Sequence, residues 1–374
     1  MAAKGRILIV GAGIVGLATA WRLHKRGYEV EIFEQGPIPN PLGSSWDEHR
    51  ITRHAYGEFT GYAQLMPQAY ALWSALWKDL GAMHYEPTGA TYFIREKTPW
   101  LEGTAHSMAA MNISIRDLPM DKARHRYPMI NLDAVTKVVE TNGAGLLFPY
   151  RIMRGLTNLL GASGTRFHTR HQVTAIDAEH GTLVANGKTF SGDHIVVAAG
   201  AWADRLVPDL RPEALPSRQA VMFLLPPPKF TESWNDAAVM ADLGEQSSCY
   251  ILPPHRGTRL KIGDHVFTRQ GDADQDRMAT DADVARLESV LPMVLRDFDQ
   301  YQVLERKACY YTVTEDEHFI QRPIGPRGWL ISACSGHGFK LSLLTGELAA
   351  EGITGERPAA EIAEIAAGRA AAHA

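Results

Sequence analysis

Arg6-Ile7-Leu8-Ile9-Val10-Gly11-Ala12-Gly13-Ile14-Val15-Gly16 begins a unit that Val30-Glu31-Ile32-Phe33-Glu34 completes. The first apolar run reads as a buried strand, the glycines as a turn, the following residues as a helix, and Val30–Phe33 as a second strand. Each part suits a dinucleotide. Gly11 permits the tight turn, Gly13 lets backbone approach a pyrophosphate with no Cβ between, and Gly16 lets the helix pack close to the sheet. Ala12, Ile14 and Val15 complete the turn, and the helix N-terminus turns its free N–H groups toward the phosphates. Glu34 lies 18 residues past Gly16, where a carboxylate can accept hydrogen bonds from ribose hydroxyls, with Gln35 beside it. Three glycines alone would mark only a turn in an ordinary βαβ unit. The strand before them, the helix after them and the acid at this distance select a dinucleotide site.

Working outward, 374 residues exceed one simple core and predict about two domains. A content of 45% hydrophobic and 21% charged residues is that of a soluble globular protein. The 38 basic and 42 acidic residues nearly cancel, so neither a nucleic acid nor an anionic membrane is expected as a partner. No run of ~18 apolar residues predicts a membrane span. Met1 to Gly5 leads directly into the first strand with no room for a signal peptide, and Ala370 to Ala374 carries no address, so a cytoplasmic protein is expected. Cys249, Cys309 and Cys334 form no Cys-x-x-Cys pair, so neither a disulfide framework nor a metal site is expected.

A loop rich in proline, glycine and serine spans Gly36 to Ser45. A long helix is predicted over Tyr62–Leu80, with Leu65, Ala69, Leu72, Trp73, Leu76 and Trp77 at helical spacing. Pro67 suits only a first turn and moves the expected start a few residues on. A strand is read at Thr88–Ile94 and helices at about 121–127, 152–160 and 281–291. Further strands are read at Thr165–Thr169 and Gln172–Ala178. The buried strand from Asp193 ends in Ala198-Ala199-Gly200-Ala201-Trp202, small residues against which a flat ligand can lie. Strand Trp329–Ala333, a glycine turn and a helix from about Lys340 return to the nucleotide pattern. The nucleotide domain is therefore assembled from residues 1–84, 146–216 and 306–374. Residues 85–145 and 217–305 form an interleaved second domain, with the substrate pocket at the junction.

Three stretches are similar to the monomeric sarcosine oxidase and N-methyltryptophan oxidase family, within the D-amino-acid oxidase superfamily. They are Arg50-Ile51-Thr52-Arg53-His54-Ala55-Tyr56-Gly57-Glu58, Ala308-Cys309-Tyr310-Tyr311-Thr312 with Asp316-Glu317-His318-Phe319-Ile320, and Ser335-Gly336-His337-Gly338-Phe339-Lys340. The similarity spans nearly the whole chain and is weakest between Glu58 and Val197. It implies FAD rather than NAD. It also implies an α/β fold in which a Rossmann-like FAD-binding domain carries an interleaved antiparallel-sheet substrate domain.

By the same resemblance, Cys309 would bond covalently to the flavin 8α carbon. That chemistry needs a thiolate, and Arg306 and Lys307 are adjacent cations that could favour one. Arg53 and Lys340 would clamp a substrate carboxylate, one as a planar fork and one as a point charge. Lys261 would hold a water beside flavin N5 and promote reaction with O2, a fixed charge acting by preorganisation. Tyr250, Tyr311 and His265 would line the substrate pocket, with His265 expected to titrate near neutral pH. Gly336, His337, Gly338 and Phe339 would bring backbone N–H groups and a helix end to the flavin ring. Ser44, Ser45 and Arg50 would meet flavin or pyrophosphate, and Val173, Gly200 and Trp202 would complete the cofactor wall.

The chain also departs from the family. Where relatives commonly carry His-His-Gly-Asp, it reads Ser45-Trp46-Asp47-Glu48-His49, and Gln321-Arg322 replaces an apolar–acidic pair. The expected activity is oxidation of a secondary amine on an N-alkyl or cyclic amino acid by a monomer, with O2 reduced to H2O2. A dehydrogenase passing electrons to a quinone or protein is the nearest alternative, and a non-catalytic flavin-binding subunit is another. No second Gly-x-Gly-x-x-Gly follows a strand to suggest NAD(P)H.

Overall fold

The strand Arg6–Val10 lies at the middle of a six-stranded sheet, because its side chains are apolar on both faces. Across that sheet the order is Ile320–Pro323, Gly328–Ser332, His194–Val197, Arg6–Val10, Glu29–Glu34, Arg166–Thr169, parallel except for the first. This computed structural model describes residues 3–275 and 277–371. Met1, Ala2 and 372–374, within the terminal stretches read above, lie outside the described residues.

The period-two alternation of the strands assigns their faces. Ile7, Ile9 and Ile32 join one core with the helices Ile14–Lys25 and Gly338–Thr354. Leu8, Val10 and Phe33 join another, under a three-stranded sheet of Val173–Asp177, Thr182–Ala185 and Lys188–Ser191. The two helices touch backbone to backbone. A Cβ on Gly346 would stand 2.7 Å from the Ala18 carbonyl carbon.

An eight-stranded sheet forms the second layer system. Its order is Gln302–Val313, Leu215–Leu225, Leu260–Gly263, Cys249–Leu252, Val239–Asp242, Ala90–Ile94, Lys137–Thr141, Ile115–Leu118. The antiparallel expectation holds for every pair in it but one. Val239–Asp242 runs parallel to Ala90–Ile94, because the chain returns to this sheet only after building much of the first. The divisions read near residues 146 and 306 both fall inside strands, Ala144–Leu147 and Gln302–Val313.

The long helix spans Thr60–Leu80 and carries Pro67 in its interior, so the later start expected from that proline is corrected. The price is one missing N–H in the ladder, set against the burial of Tyr62, Ala63, Leu65 and Met66 in the first core. No helix among the described residues is long and apolar enough to cross a membrane.

Gly346→Val should overpack the contact with Ala18 and reduce stability by about 1–3 kcal/mol. Urea unfolding followed by tryptophan fluorescence checks this; an unchanged midpoint would show that the helices can move apart freely.

Candidate active site

A cavity of about 380 Å³ opens beyond the carboxyl ends of the parallel strands, the place where such sheets bind ligands. One end is lined by Gly11, Ala12, Gly13, Ile14 and Val15, with Glu34, Gln35, Ser44, Ser45 and Arg50. Val173, Gly200, Trp202 and Tyr311 line its course, and Gly336, Gly338 and Phe339 close the other end. Gly11 has φ +102°, and a Cβ there would stand 2.4 Å from the Ala198 carbonyl oxygen, so only glycine fits. Gly16 lies behind the wall, as its packing role requires, with Gly11 O 2.0 Å from where its Cβ would be.

The local hydrogen bonds explain why the loop after the second strand folds back. Gly13 offers no side-chain cap to the first helix, and Ser45 supplies one from 31 residues away: its Oγ accepts the Ile14 N–H at 3.0 Å. Glu34 braces the turn. Its Oε2 accepts the Ala12 N–H at 2.9 Å, and its Oε1 accepts from Gly36 N–H at 3.0 Å and Asn40 Nδ2 at 2.8 Å. Four lone-pair sites leave acceptor capacity for a ribose as well. At the far end the helix Gly338–Thr354 starts at the cavity and points its N-terminus into it. Before it, Gly336 (φ +74°) faces the Tyr311 ring, 2.9 Å from where a Cβ would lie. Two helix N-termini and backbone bared by glycine at both ends suit FAD, which carries a pyrophosphate in its middle and an electron-rich ring edge at one end.

Two cationic clusters adjoin this cavity. Arg50 and Arg53 stand three apart on the strand Arg50–Arg53, so the pleat sends them to opposite faces. Arg50 Nη1 pairs with Asp47 Oδ2 at 2.6 Å and its Nη2 donates to Ser44 O at 2.8 Å. The same Asp47 oxygen accepts from the buried Lys261 Nζ at 2.5 Å. Burial works against the Asp47 carboxylate, yet Arg50, Lys261 and Lys307 hold it well below the usual range. Burial and Arg50 bring Lys261 down to about 8 against the pull of Asp47. Burial and Lys261 push the adjacent His49 down to about 3, so it is neutral. The Tyr250 ring lies 5.9 Å from Lys261 Nζ, and Tyr311 and Cys309 lie in the field of Arg50.

The second cluster has no acid. Lys340 is buried, with Nζ 3.3 Å from the Tyr56 hydroxyl, and burial with Arg53 drives its pKa well below the usual lysine value. Arg53 lies 5.6 Å over the Trp100 ring. Among the described residues neither cation has a carboxylate partner. Arg53 Nε and the Tyr92 hydroxyl are buried without a hydrogen bond.

Several sequence expectations change here. Arg306 pairs with Glu288 at the surface, and Arg50, Lys261 and Arg277 each interact with Cys309. Cys309 is buried but does not line the cavity, whereas Cys334 does. His265 is exposed, 3.5 Å from Glu317 and packed on Phe267, rather than gathered with Lys261. His337 lies behind the wall, its Nδ1 3.3 Å from the Tyr56 hydroxyl. Trp46, in the place of the family histidine, packs edge-on against the exposed Tyr150 at 5.1 Å. Reasoning on motifs missed Asn40, Tyr56, Tyr92 and Trp100. Tyr56 stands inside the matched Arg50–Glu58 stretch, but nothing local marks the others.

Comparison with known proteins agrees with this architecture. A family model described as FAD dependent oxidoreductase (DAO) matches residues 6–352. The chain belongs to this family of FAD-dependent oxidoreductases. It is 27% identical over 354 residues to a monomeric sarcosine oxidase of Bacillus sp. (strain B-0618), covering 91% of this chain and 90% of that protein. It is 25% identical over 349 residues to an N-methyl-L-tryptophan oxidase of Yersinia pestis (strain Pestoides F), covering 92% and 93%. The crystal structure of L-proline dehydrogenase from P. horikoshii superposes with a TM-score of 0.83 at 17% identity, covering 99% of this chain and 98% of that one.

Ser45→Ala removes the remote cap of the first helix and should cost about 1 kcal/mol. Thermal unfolding with and without added FAD measures it; no loss in either condition would mean the Ser45 contact with Ile14 contributes nothing.

Proposed function

We propose that this chain oxidises the secondary amine of an N-alkyl or cyclic amino acid to the imine, with O2 as acceptor and H2O2 as product, and that it does so as a monomer. The observation that carries the reading is the pair Arg53 and Lys340, two cations beside a cofactor cavity with no carboxylate among the described residues to balance them. Holding uncompensated charge out of water is costly. A substrate carboxylate supplies the missing charge.

FAD would be held by the Gly11–Gly16 turn, Glu34, Ser44 and Ser45 at one end and by Gly336–Phe339 at the other. When bound, it supplies a two-electron acceptor for the carbon beside the amine nitrogen. The protein supplies position and charge. Arg53 offers a fork to two carboxylate oxygens and Lys340 a third contact, which fixes where the amine lies. Trp100 and Tyr92 bound the space around that clamp. The amine reacts as the free base, so no general base is required of the chain. Since Lys340 is easily deprotonated where it lies, carboxylate binding favours its charged form and weakens as pH rises. Lys261 presents a positive charge for the reaction with O2, while Tyr250 and Tyr311 shape the same wall. His265 lies exposed beside Glu317, outside this wall. The similarity to oxidases named for N-methylated amino acids over most of their length supports this substrate class.

Arg53→Met and Lys340→Met should each raise KM for an N-methyl or cyclic amino acid by ~10-fold or more, the loss of a charge-assisted hydrogen bond. A peroxide assay over a panel of such substrates checks it, and unchanged KM in both variants would remove the clamp.

A cysteinyl flavin bond through Cys309 belongs to the same reading. Acid precipitation should leave the yellow colour with the protein pellet, Cys309→Ala should release it, and Cys334→Ala should not. Colour lost from wild type into the supernatant would exclude the bond.

A further inference from the structure

We propose that Asp47 is the positioning residue for Lys261: its carboxylate holds the buried ammonium group in place and keeps it protonated, and so controls how fast the enzyme uses O2. The inference rests on the oxidase reading, in which amine and O2 become imine and H2O2. The amine loses two electrons and two protons, and O2 gains both.

The geometry is specific. One oxygen, Asp47 Oδ2, receives both Arg50 Nη1 at 2.6 Å and Lys261 Nζ at 2.5 Å. The other, Oδ1, accepts the Glu48 N–H at 2.8 Å, which fixes the plane of the carboxylate. Glu48 is itself fastened to the strand that carries Lys261. Its Oε2 accepts the Arg259 N–H at 2.8 Å and its Oε1 the Arg259 guanidinium at 2.6 Å. Asp47 and Glu48 thus hold the loop at two points against Leu260–Gly263, with Arg259 packed 3.9 Å over the Phe223 ring.

A lysine taken wholly out of water gives up its proton unless an anion faces it. Lys261 is 0% exposed. The groups facing it are Asp47, His49 and Arg50 from one segment, Tyr250 from Cys249–Leu252, and Cys309 from Gln302–Val313. Lys307 from that last strand acts on Asp47. Arg50 repels the ammonium, His49 is neutral, and Asp47 is the one carboxylate among them. An ammonium that donates one N–H to Asp47 retains two others, aimed by that first bond.

The test uses holoenzyme with lysine labelled at Cε and Nζ, with Lys261→Met assigning the resonance. In wild type, Lys261 should titrate near pH 8, and in Asp47→Asn lower by about one unit or more. In rapid mixing at pH 7, Asp47→Asn should slow reoxidation by O2 at least about 5-fold more than reduction by substrate, with partial recovery in Asp47→Glu. In the Lys261→Met background Asp47→Asn should add nothing further. If Lys261→Met slows reoxidation but Asp47→Asn alters neither the titration nor the rate, or if the two losses add, the role of Asp47 is overturned. If Lys261→Met reoxidises at the wild-type rate, Lys261 takes no part in the O2 reaction and the proposal fails while the oxidase reading stands; if substrate-reduced wild type is not reoxidised by O2, both fail. Asp47→Glu keeps the test decisive should the asparagine variant not fold.

Discussion

Positive charge held out of water in excess of negative charge governs the interior of this protein. Arg50 lines the cofactor cavity and shares Asp47 with the buried Lys261, while Arg53 and Lys340 form a second buried cluster. Each cation is tolerated only because something stabilises it: an ion pair for Arg50 and Lys261, aromatic faces for Arg53 and Lys340. Such an arrangement is unfavourable for folding and favourable for receiving electron-rich ligands. A dinucleotide with an anionic centre meets that need, as would the carboxylate of the proposed substrate.

The two sheet systems make the arrangement possible. The parallel sheet ends at the cavity, so its turns and two helix N-termini present backbone donors there. The mixed sheet contributes Lys261 and Tyr250 from neighbouring antiparallel strands, with Tyr250 paired to Gly263. The absence of a Cβ at Gly263, which would lie 2.4 Å from the Tyr250 hydroxyl, lets that ring lie across the strand beside Lys261. Between the systems, the short strand Arg50–Arg53 feeds one arginine to each cluster, a direct consequence of strand pleat.

How much could be read beforehand differs by feature. The first βαβ unit, the buried strand at His194–Val197, and the strand Gly328–Ser332 with the helix Gly338–Thr354 were legible, because apolar runs and glycines act through adjacent residues. The interior place of Pro67 was not, because the burial that outweighs its missing N–H is set by partners hundreds of residues away, such as Phe319. Arg53 and Lys340 were found through matched stretches. Trp100 was not, because its position over Arg53 is fixed by where the helix Pro99–Ala110 packs. Neighbours in sequence misled in one case: Arg306 turns outward to Glu288, since alternate residues of a strand face opposite sides.

From its sequence alone, this protein's dinucleotide turn and the acid at Glu34 were legible, because those depend on the covalent backbone and on short spacings, and three matched stretches carried the resemblance to its family. Tertiary structure alone decided that Asp47 meets Lys261 across 214 residues, that among the described residues Arg53 and Lys340 share a cluster without an acid, and that His265 stays exposed beside Glu317. The physical reason is that charge pairing and burial are properties of the assembled interior, where the cost of a bare charge depends on every element packed around it.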